Sequence, residues 1–463
     1  MKILILGGGP GGYVAAIKAA QLGAEVTLVE KKYIGGTCLN VGCIPTKVLL
    51  NTTDLYHTLK KDGEKIGLKA SNLKVDWQKL MKRKTNITQS LVGGVEGVLA
   101  SYGVEVIFGE GKFISKNQIE VLKDDDTKDT VDFDKAIIAS GSKPVILPIP
   151  GIHGENILTS SQILSLEKLP ESLCIVGGGV IGCEFASIFS RLGVKVTIIE
   201  MLPGIIQNMD QEVVQYLDFE LRNVGVEILT NSKVEKFNPT SQGVEVTAST
   251  PEGEKKIKTE KVLLSIGRKA VVDNIGLEDI GIQFDRTIKV NKKFQTNISN
   301  IYAIGDCTGG AMLAHAASAQ GIAAVESIIK NRSRMDFKTV PYCVYTKPEV
   351  ASVGMTEEQV KEKGIDYSVG KFPLMSNAKS LILGETEGMV KFIVDNSTDE
   401  ILGMHMAGPK ATELIVEGAL ALRLEATIDE ILTTIHAHPT VGEALHEAAH
   451  GVHGYPIHLP KEI

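Results

Sequence analysis

Two cysteines in the stretch IGGTCLNVGCIPTK, residues 34–47, are set apart from the other four in the chain by their spacing and company. Cys38 and Cys43 have four residues between them, and in turn or helical geometry two such sulfurs can come within bonding distance. Gly35 and Gly36 let the backbone pass close to a flat ring. Lys47 follows Cys43 by four residues, one helical turn if a helix starts there. Its ammonium could stabilise charge on such a ring, with Glu184 as a partner. Zinc calls for about four ligands, and neither a histidine nor a second cysteine pair is near in sequence. A pair of inert buried thiols would leave the glycines and Lys47 unexplained. The pair therefore reads as a redox-active disulfide. Cys174, Cys183, Cys307 and Cys343 occur singly among apolar or small residues and read as inert core thiols.

Thiol–disulfide exchange needs a base to make a thiolate and an acid to return the proton. Residues 436–447 read HAHPTVGEALHE. His438 precedes Pro439, which cannot continue a helix backwards, so a helix is expected to start here. Glu443 would lie in its first turns and reach back to the imidazole, fixing its tautomer. A histidine near a glutamate is by itself more often structural. His436, His446 and His450 lack this context and read as surface or supporting groups.

These groups need a scaffold, and the chain announces one by repeating itself. Residues 2–30, KILILGGGPGGYVAAIKAAQLGAEVTLVE, match residues 172–200, SLCIVGGGVIGCEFASIFSRLGVKVTIIE, at a constant offset of 170. Each copy is an apolar strand, a glycine turn, a helix, a second strand and a terminal glutamate, the pattern that opens a doubly wound parallel sheet. Gly7 and Gly177 permit the tight turn, Gly9 and Gly179 admit a diphosphate, and Gly12 and Gly182 allow close packing. Glu30 and Glu200 can accept from ribose hydroxyls. One site suits a tightly held flavin and the other a nicotinamide. Glu200 would repel a 2′-phosphate, which favours NAD.

Further strands close the two sheets. Ala136 to Gly141 and Val262 to Arg268 are apolar runs ending at Gly141 and Gly267–Arg268, and both read as returning strands. Thr296 to Asp306 is a third, and Asp306 at its end could accept from flavin hydroxyls or cap a helix after Thr308. Ala314, in the run LAHAASAQG, is counted with the cofactor-binding positions. From about Pro341 short strands (350–353, 388–394, 401–405) alternate with helical runs (356–363, 412–423, 428–432), which points to a separate α+β domain. The tract 124–129, DDDTKD, reads as a solvated loop. The net charge of −7 argues against nucleic acid or an anionic membrane as partner. The absence of a leader or a long apolar run leads to an expectation of a cytoplasmic enzyme.

The segment GGTCLNVGCIPTK closely resembles the active-site segment of the class I pyridine nucleotide:disulfide oxidoreductases. The order of features resembles that family along essentially the whole chain. The resemblance implies an α/β fold with two Rossmann-like dinucleotide-binding domains and a C-terminal α+β dimerisation domain. The expected divisions are an FAD-binding domain at 1–147, an NAD-binding domain at 148–268, a central segment completing the FAD domain at 269–340 and an interface domain at 341–463. It also implies FAD and NAD as cofactors, Cys43 nearer the flavin and Cys38 exchanging with substrate. HPTxxE resembles the family's C-terminal signature and makes His438 the base, supplied across a homodimer. No metal is implied.

Within the family, the absence of a C-terminal cysteine, the lack of a metal-binding extension and the presence of Glu200 favour oxidation of protein-bound dihydrolipoamide with NAD. The partners would be lipoyl domains of a 2-oxo acid dehydrogenase or glycine cleavage complex. The runner-up is an NAD(P)H-dependent reductase of another small disulfide such as glutathione. A flavin-holding structural subunit and a single-cysteine flavoprotein oxidase or peroxide reductase are disfavoured by the intact set Cys38, Cys43, His438 and Glu443. Two departures from the family pattern stand out: KAVVDN follows Arg268 where Pro and Asn usually come, and Gln320 stands where a Glu often lies.

Overall fold

A computed structural model describes residues 1–332 and 335–460. The expected central segment and interface domain each include a few positions outside this set. Both repeats form five-stranded parallel sheets. The first runs in the order Ile301–Ala303, Lys135–Ile138, Lys2–Leu6, Glu25–Glu30, Glu105–Phe108. The second runs Glu227–Leu229, Lys195–Ile199, Ser172–Val176, Lys261–Leu264, Ile157–Thr159. Parallel neighbours need crossover connections, and sheets covered on both faces are apolar along their length. Hence Ile3, Leu4 and Ile5 in one central strand, and Leu173, Cys174 and Ile175 in the other, are all buried. The strand 301–303 joins the first sheet at its edge, beside 135–138.

The tract 124–129 is not simply a solvated loop. Lys128–Asp132 is a strand, and the residues before it form a hairpin turn. An ion pair from Lys123 to Asp129 at 2.6 Å and an Asp125 carboxylate accepting from the Thr127 amide order that turn.

The last third forms an antiparallel sheet in the order Tyr342–Val344, Glu349–Gly354, Ile401–Gly408, Met389–Asp395, Tyr367–Pro373. Helices Ala411–Arg423 and Glu443–Val452 pack on it through a core that includes Phe372, Phe392, Met404, Ile415 and Leu445. The helix Gln211–Asn223 of the second nucleotide unit also meets this sheet. There Lys391, 1% exposed, lies 3.0 Å from Asp210, 2.9 Å from Glu212 and 2.7 Å from Glu357. No helix among the described residues is long and apolar enough to cross a membrane.

Candidate active site

Each glycine fingerprint sits between a strand and a helix, as its spacing requires. Gly7 and Gly177 have φ of +110° and +104°, which a side chain would strain. A Cβ at Gly12 would stand 1.8 Å from the Gly7 carbonyl oxygen, and one at Gly182 would stand 2.1 Å from that of Gly177. At the N-termini of helices Pro10–Gln21 and Val180–Arg191, Gly179 borders open space and a Cβ at Gly9 would meet only the Gly36 Cα, at 4.0 Å. Free N–H groups and the helix dipole there suit a diphosphate. Glu30 accepts from the Gly8 and Lys32 amides at 2.6 and 2.7 Å, and Glu200 accepts from those of Gly178 and Leu202 at 2.5 and 2.8 Å. Both fingerprints open on one cleft of about 1750 Å³, larger than a drug-sized pocket of roughly 300–1,000 Å³.

Cys38 and Cys43 line the same cleft. Cys38 lies in the short helix Gly36–Val41, and Cys43 opens the helix Cys43–Asp62. Both are free thiols in hydrogen-bond contact with each other. The hydrogen bond from Cys38 brings the Cys43 thiol down to about 7, against burial and Glu184 and with help from the Lys47 ammonium. The same hydrogen bond, together with burial, pushes Cys38 up. One sulfur is therefore poised as a thiolate while the other holds the proton.

Lys47 lies one turn beyond Cys43, as its spacing predicts. Its Nζ is 2.8 and 2.9 Å from the two oxygens of Glu184, which is buried in the helix behind the second fingerprint. Sequence reasoning missed Tyr345. Its ring centroid is 4.6 Å from Lys47 Nζ, and its backbone amide donates to Glu184 Oε1 at 3.2 Å. Nothing in the local sequence marks Tyr345, because both contacts join it to segments far away in the chain.

Asp306 does not cap the following helix. It lies in a short turn, Gly305–Thr308, and the helix Ala314–Lys330 begins later. Asp306 accepts from the Ser142 hydroxyl, which itself accepts from Arg268 Nε at 2.7 Å. All three line the cleft with Gly141, Gly267 and Ala314. Lys269 and Ala270, the first of the divergent residues, join Arg268 in a short ladder against Ser142–Pro144. Gln320 Oε1 accepts from the Gly305 amide at 2.6 Å, so this departure keeps a hydrogen bond beside Asp306.

His438 is 73% exposed at its side chain, and its Nδ1 is 2.8 Å from Glu443 Oε1. Glu443 also accepts from the Thr440 amide at 2.8 Å. Although burial works against it, that amide and His438 hold the Glu443 carboxyl below its usual range. The helix starts at Glu443, with Gly442 as its cap, so His438 lies in irregular chain ahead of it rather than at its start. Neither His438 nor Glu443 lines the cleft that holds the cysteines. His436 bonds Glu417 at 2.9 Å, and the rings of His446 and His450 meet edge to face.

Comparison with known proteins agrees with this architecture. Residues 1–321 match the family model described as pyridine nucleotide-disulphide oxidoreductase, and residues 340–449 match that family's dimerisation domain. Dihydrolipoyl dehydrogenase 1, mitochondrial, of Arabidopsis thaliana is 41% identical, over 99% of this chain and 91% of its own. Dihydrolipoyl dehydrogenase of Bacillus subtilis is 41% identical, over 99% of both. The crystal structure of LpdA from Mycobacterium tuberculosis has a TM-score of 0.90 at 30% identity, covering 97% of this chain and 99% of that one. The chain belongs to the pyridine nucleotide-disulphide oxidoreductase family.

Proposed function

We propose that the chain oxidises protein-bound dihydrolipoamide to lipoamide and reduces NAD to NADH, with FAD as the relay. The observation that carries this reading is the Cys38–Cys43 pair, with Lys47 and Glu184, in a cleft that both glycine fingerprints share. The relatives' names carry the same activity. We assign FAD to Gly7, Gly9, Gly12, Glu30, Lys47, Gly141, Asp306 and Ala314, and NAD to Gly177, Gly179, Gly182, Glu184, Glu200 and Gly267. The uncrowded backbone at Gly9 and at Gly179 leaves room for a diphosphate at each. Bound FAD supplies two-electron transfer between the cysteine pair and the nicotinamide.

The chain's own residues handle the sulfur chemistry. A substrate thiolate attacks Cys38 Sγ, the Cys38–Cys43 bond breaks, and Cys43 leaves as thiolate. The second substrate thiol then displaces Cys38, closing the lipoamide ring. His438 takes the thiol protons, steadied by Glu443. Because His438 is exposed and does not line its own chain's cleft, we assign it to the cleft of a second copy. A large apolar side chain three residues before it fits burial in a dimer: Ile435 is 96% exposed. The divisions 1–147, 148–268, 269–340 and 341–463 follow from this reading, supported by the return of strand 301–303 to the first sheet. We place the work in the cytoplasm, with lipoyl domains as partners.

Anaerobic reductive titration tests the reading. The protein should take up two electrons for the disulfide and two for the flavin, and Cys43→Ser should take up only the flavin's. Equal uptake by both proteins would remove the disulfide from the mechanism.

A further inference from the structure

The pair Lys47–Glu184 is assembled from parts that are far apart in sequence. Lys47 comes from the helix that opens with Cys43. Glu184 comes from the helix behind the second fingerprint, where it is 3% exposed. An ammonium on a flexible four-carbon stem does not hold one position unaided. Two contacts from a third segment close around it. The backbone amide of Tyr345 donates to Glu184 Oε1 at 3.2 Å, fixing the carboxylate. The ring of Tyr345 lies 4.6 Å from Lys47 Nζ, a second contact on the ammonium. A cation over an aromatic face is attracted by the ring's quadrupole, more strongly where water is partly excluded. Tyr345 lies just beyond the strand Tyr342–Val344, within the part of the chain that matches the dimerisation model. The third segment thus reaches into a site whose charges come from the first two.

We propose that Tyr345 is a positioning residue for the redox centre: its ring face holds the Lys47 ammonium toward Cys43, so that this sulfur is kept as the thiolate. The proposal rests on reading Cys43 as the flavin-facing redox thiol. The charged and titratable groups that face Cys43 are Cys38, Lys47, Glu184, Tyr345 and Arg268. Of these, Lys47 works with the Cys38 hydrogen bond to favour the thiolate, while Glu184 opposes it. Without the ring, only the Glu184 pair holds the Lys47 ammonium, which then ranges more widely, and Glu184 is less evenly balanced beside the sulfur. Both changes disfavour the thiolate.

Substitution separates the ring from the rest, because the amide that donates to Glu184 belongs to the backbone and survives any replacement except proline. Tyr345→Phe keeps the face and removes the hydroxyl. Tyr345→Leu removes the face, and Tyr345→Met does so with a flexible side chain should leucine prevent folding. The readout is the long-wavelength charge-transfer absorbance of a thiolate beside oxidised flavin, titrated with pH in the half-reduced, flavin-loaded protein. Thermal unfolding and flavin content serve as controls on folding. The expected result is an upward shift of the thiolate titration by about half a unit or more in Tyr345→Leu or Tyr345→Met. Tyr345→Phe should titrate with the parent. A leucine or methionine variant titrating with the parent would overturn the proposal, as would an equal shift in all variants, which would assign the effect to the hydroxyl. If the parent protein shows no such band after reduction, the reading of Cys43 as the flavin-facing thiol fails first, and the proposal falls with it.

Discussion

His438 Nδ1 lies 2.8 Å from Glu443 Oε1, yet neither residue borders the cleft that holds Cys38 and Cys43 in the same chain. The pair is built, but outside the cleft of its own cysteines. His438→Gln should slow dihydrolipoamide oxidation by about 10²–10⁴-fold, the usual worth of a positioned acid–base group. NADH oxidation by an artificial dye, which does not use the dithiol, should be retained. Mixing Cys43→Ser chains with His438→Gln chains should restore activity through hybrid dimers. No recovery, with hybrids demonstrated by mass, would place the base within one chain.

The second fingerprint can be disabled by one methyl group. A Cβ at Gly182 meets the Gly177 carbonyl at 2.1 Å, and backbone on both sides cannot yield without parting helix from strand. Gly182→Ala should weaken NADH binding by at least about tenfold, about 1.4 kcal/mol, and leave the flavin in place. Equilibrium binding and the flavin spectrum check the two halves of this statement.

Cys43 should behave as the more acidic thiol. In the reduced protein stripped of flavin, its alkylation by iodoacetamide should set in at lower pH than that of an ordinary thiol, because Cys38 and the Lys47 ammonium bring Cys43 down. Cys38 should lag well behind, because its proton is held toward Cys43. Lys47→Met should move the Cys43 profile to higher pH, since it removes an ammonium that favours the thiolate. Peptide mapping by mass spectrometry resolves the two sites.

The parts of this architecture legible in sequence are those encoded locally. The glycine spacing in 7–12 and 177–182 follows from steric demands within a single turn and helix, so the repeat disclosed both parallel sheets. The Cys43 to Lys47 interval is one helical turn and needs no tertiary knowledge. Contacts between remote segments were less legible. The link from Lys47 to Glu184 could be suggested because both positions lie in recognisable motifs, whereas Tyr345 lies in none. Ser142 was likewise invisible, since its bonds to Asp306 and Arg268 depend on how three strand ends converge. The helix expected at His438 was misplaced because proline sets where a helix can begin but does not require one. The start falls to Gly442 and Glu443 instead.

The buried cluster at Lys391 makes a stability prediction. Lys391 is pushed up by Glu357, Glu212 and Asp210 despite the burial that opposes its charge. Glu357 is brought from 4.5 to about 2, against burial, by Lys361 and Lys391. Removing one member of a buried ionic group costs about 3–5 kcal/mol, so Lys391→Met should lose stability of that order at neutral pH. The depressed carboxylates contribute above their unfolded values and lose that contribution as pH falls through the folded ones. The gap between parent and variant should therefore narrow as pH falls from about 4.5 toward 2. Denaturant unfolding across that range measures it, and a gap independent of pH would show that lost packing dominates.

Electrons pass through this cleft from a lipoyl dithiol to NAD. Initial rates of nicotinamide reduction should be measured with dihydrolipoamide or reduced glutathione as donor, each with NAD and with NADP. NADH should form briskly from dihydrolipoamide with NAD, little reduction should occur with NADP because Glu200 repels the 2′-phosphate, and glutathione should give none. Turnover only with glutathione or only with NADP would rule out this route.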